Sequence, residues 1–360
     1  MRHALSAAAL AALLLAGSAL ARPAAKHPSK QPATPASAAS AAAPEEEKIA
    51  PADRKRIEAI RQYQHDLVSV VALRADPDYL LGAALLAKPF KNPMQGLDFD
   101  ALSQRAAAAP HGGAAARWTR LDVCKSEKDC PNAEAFAWLK RHAAGNAAVW
   151  MVAMDVAARD KNDKAERAAL KQAAAAQTYD DYYGNALAGV AKATAVLPPL
   201  ADTMQGAHDG QPDNADGVRV LVAVMNMQDH VRPAFGPLEQ LCGEDAAKDA
   251  HVKADCLKLA RTLQWGSSPI ARAVGLHIQA TLKPAEKAQD DQASQNLAWQ
   301  VHQYSALLQR ALTDSSLAAQ WLGTARNGGT ELSLALATLR ANQVPLDAPP
   351  APASTGSSGQ

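Results

Sequence analysis

Two His-Asp dipeptides, His65-Asp66 and His208-Asp209, are the residues whose types first suggest chemistry. An adjacent imidazole and carboxylate can share a divalent cation, but such a centre needs further ligands from other helices. His230, His251, His277 and His302 are present, and no spacing selects any of them. His65 follows the polar stretch Arg61-Gln62-Tyr63-Gln64, which reads as a solvated helix face. The acidic segment from Asp209 to Gly217 offers the oxygen ligands calcium prefers, but it lacks a closing bidentate Glu. Its Gly, Pro, Asn and Asp residues each favour turns on their own, so it reads as an exposed connection. No metal or other cofactor is expected.

Other chemistries leave no trace. The chain has no G-x-S-x-G, no H-E-x-x-H and no glycine-rich phosphate loop after a strand. Its four cysteines fall as Cys124/Cys130 and Cys242/Cys256. Neither pair has the C-x-x-C spacing of a zinc site. Four cysteines allow three connectivities. The two local pairs, Cys124–Cys130 and Cys242–Cys256, are expected, each tying the end of one helix to the start of the next. Closing the longer loop contributes about 3 kcal/mol by chain entropy. That pairing leaves no thiol to act as a nucleophile. The Trp residues could mark a binding groove, but Trp at helical spacing more often packs between helices.

The 37 basic and 36 acidic residues give a formal charge of +1, with no basic stripe to follow a phosphate backbone. Nucleic acid is therefore excluded as a partner. The N-terminus carries Arg2 and His3, an Ala/Leu run from Ala4 to Ala16, and Ala19-Leu20-Ala21 as an A-x-A cleavage site. This predicts Sec export, cleavage after Ala21 and a mature chain starting at Arg22, in the periplasm or secreted. No twin-arginine pair and no cysteine near the cleavage site point to another route. The apolar run is too short to span a bilayer, so no transmembrane segment is expected after signal removal.

Residues 22–50 are rich in Ala, Pro, Ser and Lys and hold little that could be buried, so a disordered linker is expected there. Residues 344–360 read as a disordered tail for the same reason. Between them, 51–343 is one helical domain, or two halves, 51–199 and 200–343. Its residues are mostly good helix formers. Asp76-Pro77 is a helix start, as are Cys130-Pro131-Asn132 and Asn162-Asp163, and Asp180 is expected to cap a helix ending before Pro198-Pro199. Further helices are predicted at 215–229, 245–264, 268–282, 285–312, 314–326 and 330–342. Val218, Val220, Val222 and Val224 alternate like a strand, but Leu221, Ala223 and Met225 make both faces apolar, so the run reads as a buried helix.

Trp118, Trp150 and Tyr182 are 32 residues apart, and Trp138 and Leu170 follow the first two at a common offset of 20. Over roughly 114–197 the pattern resembles the tetratricopeptide repeat, a helix–turn–helix unit of about 34 residues. Trp118-x-x-Leu121 matches its opening, Trp150-x-x-Ala153 matches loosely, and Ala173 suits the small position of the second helix. The period is two short, and the Gly after the Leu and the closing Pro are missing. The resemblance implies stacked hairpins with Trp118, Trp150 and Tyr182 in equivalent places. The chain shares His-Asp pairs with HD-type phosphohydrolases, and an Ala-rich helical character with secreted lytic transglycosylases. No Glu is followed by Ser, as the catalytic Glu of the transglycosylases is. The expected fold is all-α, either helix-hairpin repeats forming a solenoid or an irregular helical bundle. The expected function is a non-catalytic scaffold binding protein or peptide outside the cytoplasm. The alternative is an envelope-acting hydrolase whose catalytic residues sequence spacing does not reveal.

Overall fold

The computed structural model describes residues 51–91, 95–123, 130, 132–205 and 214–350. Among them the protein is all-helical, and the one β-bridge is the isolated pair Asn146 and Thr178. The first group of helices is α1 (Pro51–Val71), α2 (Pro77–Ala87), α3 (Phe99–Ala108) and α4 (Ala114–Thr119). It is followed by α5 (Ala133–His142), α6 (Ala147–Arg159), α7 (Asp163–Ala175) and α8 (Tyr183–Ala193). Then come α9 (Ala215–Asn226), α10 (Gly236–Leu241), α11 (Ala250–Gln264) and α12 (Pro269–Leu282). The last three are α13 (Lys287–Ala311), α14 (Ser315–Arg326) and α15 (Glu331–Ala341). None of the described helices is long and apolar enough to cross a membrane.

Local chemistry sets most helix starts. Asp76 accepts from the Asp78 and Tyr79 N–H groups with Pro77 in the first turn, and Asn162 accepts from Ala165 N–H. These bonds satisfy donors that no helical carbonyl reaches. Asn132 precedes α5 but makes no such cap. Its amide is buried and exchanges hydrogen bonds with Arg120, at 2.7 Å each way. The valine-rich segment 218–225 is helical within α9, with Val218, Val220 and Val222 all buried.

The buried side chains sort into two cores. The first is built from Ile60 to Ala116, Ala186 to Met227 and Leu307 to Leu339. The second is built from Trp118 to Tyr179 and Leu238 to Leu282. Each core thus draws on both sides of residue 200, so the cores do not follow the division 51–199 and 200–343. The chain crosses between them four times, at 116–118, 179–186, 227–238 and 282–307. In the second core α6 and α7 pack as a hairpin, α11 and α12 as another, and α7 lies against α11. The hairpin stacked on α6–α7 there comes from a distant part of the sequence. The Cys242–Cys256 disulfide joins the end of α10 to the middle of α11, with Cα atoms 5.5 Å apart. Cys124 lies outside the described residues, and the Cys124–Cys130 pairing with it.

Candidate functional site

Two of the four crossings, with one loop and one helix start, meet along the seam between the cores. Segment 179–183 is fixed first by Asn146, whose side chain accepts from Asp180 N–H and donates to Asp180 C=O. Asp180 Oδ1 accepts from Tyr182 N–H, and Asp181 Oδ1 accepts from Tyr183 N–H. Asp180 therefore shapes the turn, and the residue preceding α8 is Tyr182, held left-handed at φ 57°. That backbone costs a non-glycine residue about 1–2 kcal/mol, which the surrounding bonds offset. The second crossing is anchored by the Trp118 indole N–H, which donates to Val231 C=O at 2.9 Å. The loop 266–268 between α11 and α12 spans the seam, since Ser267 N–H donates to Tyr179 C=O and Leu332 N–H donates to Ser267 C=O.

These supports gather Tyr179, Asp181, His230, Arg232, Ser267, Ser268 and Glu331. Asp181 is fully buried, and its Oδ1 also accepts from Ser267 Oγ at 3.3 Å. Arg232 donates to Glu331 Oε1 at 3.2 Å and lies over the Tyr183 ring. The Arg232 side chain is one-third exposed and that of Glu331 15 %, so this pair is the part of the cluster nearest to solvent. His230 Nε2 lies 2.7 Å from Asp181 C=O. A carbonyl only accepts, so Nε2 carries the proton and Nδ1 presents a bare lone pair. Ser268 precedes α12 without capping it, and its hydroxyl turns toward Glu331 without closing a hydrogen bond.

Five buried polar atoms here have no partner among the described residues: Tyr179 OH, Asp181 Oδ2, His230 Nδ1, Ser268 Oγ and Glu331 Oε2. They are five of the eight such atoms among the described residues, so unsatisfied polarity is concentrated at this place. Each costs roughly 1–3 kcal/mol if left dry. Together they rival the net stability of a whole domain, about 5–15 kcal/mol. Burial lifts the Asp181 carboxyl to about 6, against Arg232 and the Tyr183 N–H. Burial lifts Glu331 to about 7, with Arg232 opposing and Asp181 adding. Burial also holds His230 neutral, down to about 3.

Of the residues singled out in the sequence, His230 lies at the seam, Asp180, Tyr182 and Trp118 support it, and the others fall elsewhere. Trp118 is the fifth residue of α4, Trp150 the fourth of α6, and Tyr182 the residue before α8. The Trp118 and Tyr182 rings touch, with centroids 5.6 Å apart, although a whole hairpin would separate them in a regular stack. The three aromatics therefore hold different stations in their helices. Trp150 lines an open cleft of about 280 Å³ with Phe136, Val156 and Ala169, and no seam residue lines it. His65 and Asp66 lie partly exposed on α1, with their polar atoms 3.8 Å apart. His208 and Asp209 lie outside the described residues. No group of described His, Cys, Asp and Glu residues is arranged to hold a metal.

Tyr179, Asp181, Arg232, Ser267, Ser268 and Glu331 were not foreseen. One signal was available: three of the six tyrosines fall within Tyr179-Asp180-Asp181-Tyr182-Tyr183. Trp265, beside the Gly266–Ser268 loop, is 87 % exposed, which is unusual for so large an apolar side chain. No family model, no curated protein and no solved structure matches the chain.

Proposed function

We propose that this chain is exported and acts outside the cytoplasm as a non-catalytic helical binding protein, receiving a protein or peptide group at the polar seam. The observation that carries this reading is the set of five unpartnered buried atoms supplied by separate segments of the chain. Buried polar groups are almost always satisfied, so a concentration of exceptions points to a missing partner. Export is supported by the signal-like N-terminus and by the Cys242–Cys256 disulfide, a bond favoured in oxidising compartments. An envelope-acting hydrolase is the second reading. It is favoured by Asp181 and Glu331, whose proton affinities near neutrality suit general acid–base work.

Thermal-shift measurements on the full chain with a random tetrapeptide library test both readings. A subset of peptides should raise the wild-type Tm and leave a Tyr179→Phe/Ser268→Ala double variant unmoved. A shift accompanied by peptide cleavage selects the hydrolase. If no peptide raises the wild-type Tm, or if both proteins shift equally, binding at the seam is overturned.

A further inference from the structure

We propose that the group received at the seam is a primary ammonium, carried by a peptide amino terminus or a lysine side chain. This rests on the binding reading above and names the chemistry of its ligand. The first observation is the direction of the missing hydrogen bonds. Asp181 Oδ1 and Glu331 Oε1 are already occupied, which leaves one open oxygen on each carboxylate. The open nitrogen of His230 is a lone pair, because its other nitrogen donates to a carbonyl. These three atoms can only accept when the carboxyls are ionised, and the hydroxyls of Tyr179 and Ser268 can accept as well. Those two hydroxyls also carry one donor each, so the three open acceptors exceed the open donors by one, and an ammonium supplies three donors from one atom.

The second observation is Tyr179 itself. It is 3 % exposed, its hydroxyl has no partner, and that hydroxyl lies within electrostatic reach of Asp181, Arg232 and Glu331. A buried phenol that lacks a partner, in the field of two carboxylates, is a group that an outside polar atom would satisfy. The third observation is charge. Asp181 and Glu331 face a single guanidinium, so the ionised set keeps one negative charge that the protein does not neutralise there. Asp180 adds to that negative field, Lys88 reaches it from the His230 side, and Tyr183 and Tyr304 contribute neutral phenols. Water could complete the hydrogen bonds but would leave the charge; an ammonium answers both. Buried carboxylates without a matching cation hold protons instead. An incoming ammonium should therefore displace protons and bind better as the pH rises from acid to mildly alkaline.

Isothermal titration of the full chain tests this with butylamine and its neutral amide, N-butylacetamide. Tetra-alanine, N-acetyl tetra-alanine and an N-acetylated tetrapeptide containing one lysine are titrated in parallel. Butylamine should bind roughly tenfold more tightly at pH 8 than at pH 5.5, with proton release seen as a dependence of the heat on buffer ionisation. N-butylacetamide should not bind. Asp181→Asn should weaken butylamine roughly tenfold at pH 8, the order expected for one charged hydrogen bond. Tyr179→Phe, which keeps the ring, provides a second variant if the first does not fold. Binding of free but not acetylated tetra-alanine assigns the amino terminus; binding of the acetylated lysine peptide assigns the side chain. Equal binding of N-butylacetamide, or of N-acetyl tetra-alanine, overturns the ammonium and leaves seam binding standing. If neither amines nor peptides bind, both readings fall.

Discussion

Asp181 and Glu331 are acids kept from water beside one arginine, and this makes the folded protein a proton binder near neutrality. Their carboxyls titrate at about 6 and about 7 in the fold, above the ordinary carboxyl range. Between about pH 4 and pH 7 the native state therefore holds protons that the unfolded chain has released. The stability they contribute is complete in acid and is lost as the pH rises through their native values. His230 works in the opposite sense. Its native value of about 3 lies below the unfolded one, so its contribution is present above about 6.5 and lost as the pH falls. Glu331→Gln keeps an acceptor for Arg232 and removes the titration. In ligand-free protein it should raise stability at pH 8 by on the order of 1–3 kcal/mol and change it little at pH 5. Urea unfolding at the two pH values measures this, and an equal effect at both would show that Glu331 does not titrate in the seam.

Among the helices, close approach matters as much as apolar burial. A Cβ on Gly82 would lie 2.2 Å from Gly189 C=O, so α2 and α8 touch backbone to backbone. A Cβ on Gly184 would lie 1.8 Å from Gly329 C=O, where the start of α8 meets the residues leading into α15. Those two starts carry Asp181 and Glu331 on either side of the seam. Gly184→Ala must push them apart, at a cost of about 1–3 kcal/mol for an overpacked site. It should lower the Tm and also weaken any ligand held by both carboxyls. An alanine at Gly236, where a Cβ meets nothing within 4 Å, is the control and should leave binding intact. Equal effects of the two substitutions would show that the contact does not set the seam.

Across the whole molecule, four crossings bind the two cores to each other, and the seam residues occupy two of them. Neither core is a contiguous piece of chain, so the two are expected to unfold together. Trp118 is fully buried in the second core and Trp321 is 2 % exposed in the first. Tryptophan emission followed separately in Trp118→Phe and Trp321→Phe proteins should report one denaturant midpoint, matching far-UV circular dichroism. Separate midpoints would show two units folding independently.

The sequence determined what depends on near neighbours. Helix starts at Asp76 and Asn162 were legible because a capping side chain acts on N–H groups two or three residues away. The spans predicted at 268–282 and 314–326 lie close to α12 and α14, because apolar period and punctuation are written locally. The Cys242–Cys256 bond was legible because its partners sit on consecutive helices. Tertiary structure alone decided that Asp180 and Asn132 would serve the seam and Arg120 instead of capping helices. It also decided that Trp118 would lie against Tyr182, and that Tyr179, Asp181, His230, Ser268 and Glu331 would share one buried place. Those residues come from segments far apart in the chain, and no local pattern joins them. Their proton affinities and unfilled hydrogen bonds arise from burial, which exists only once the two cores have closed around the crossings.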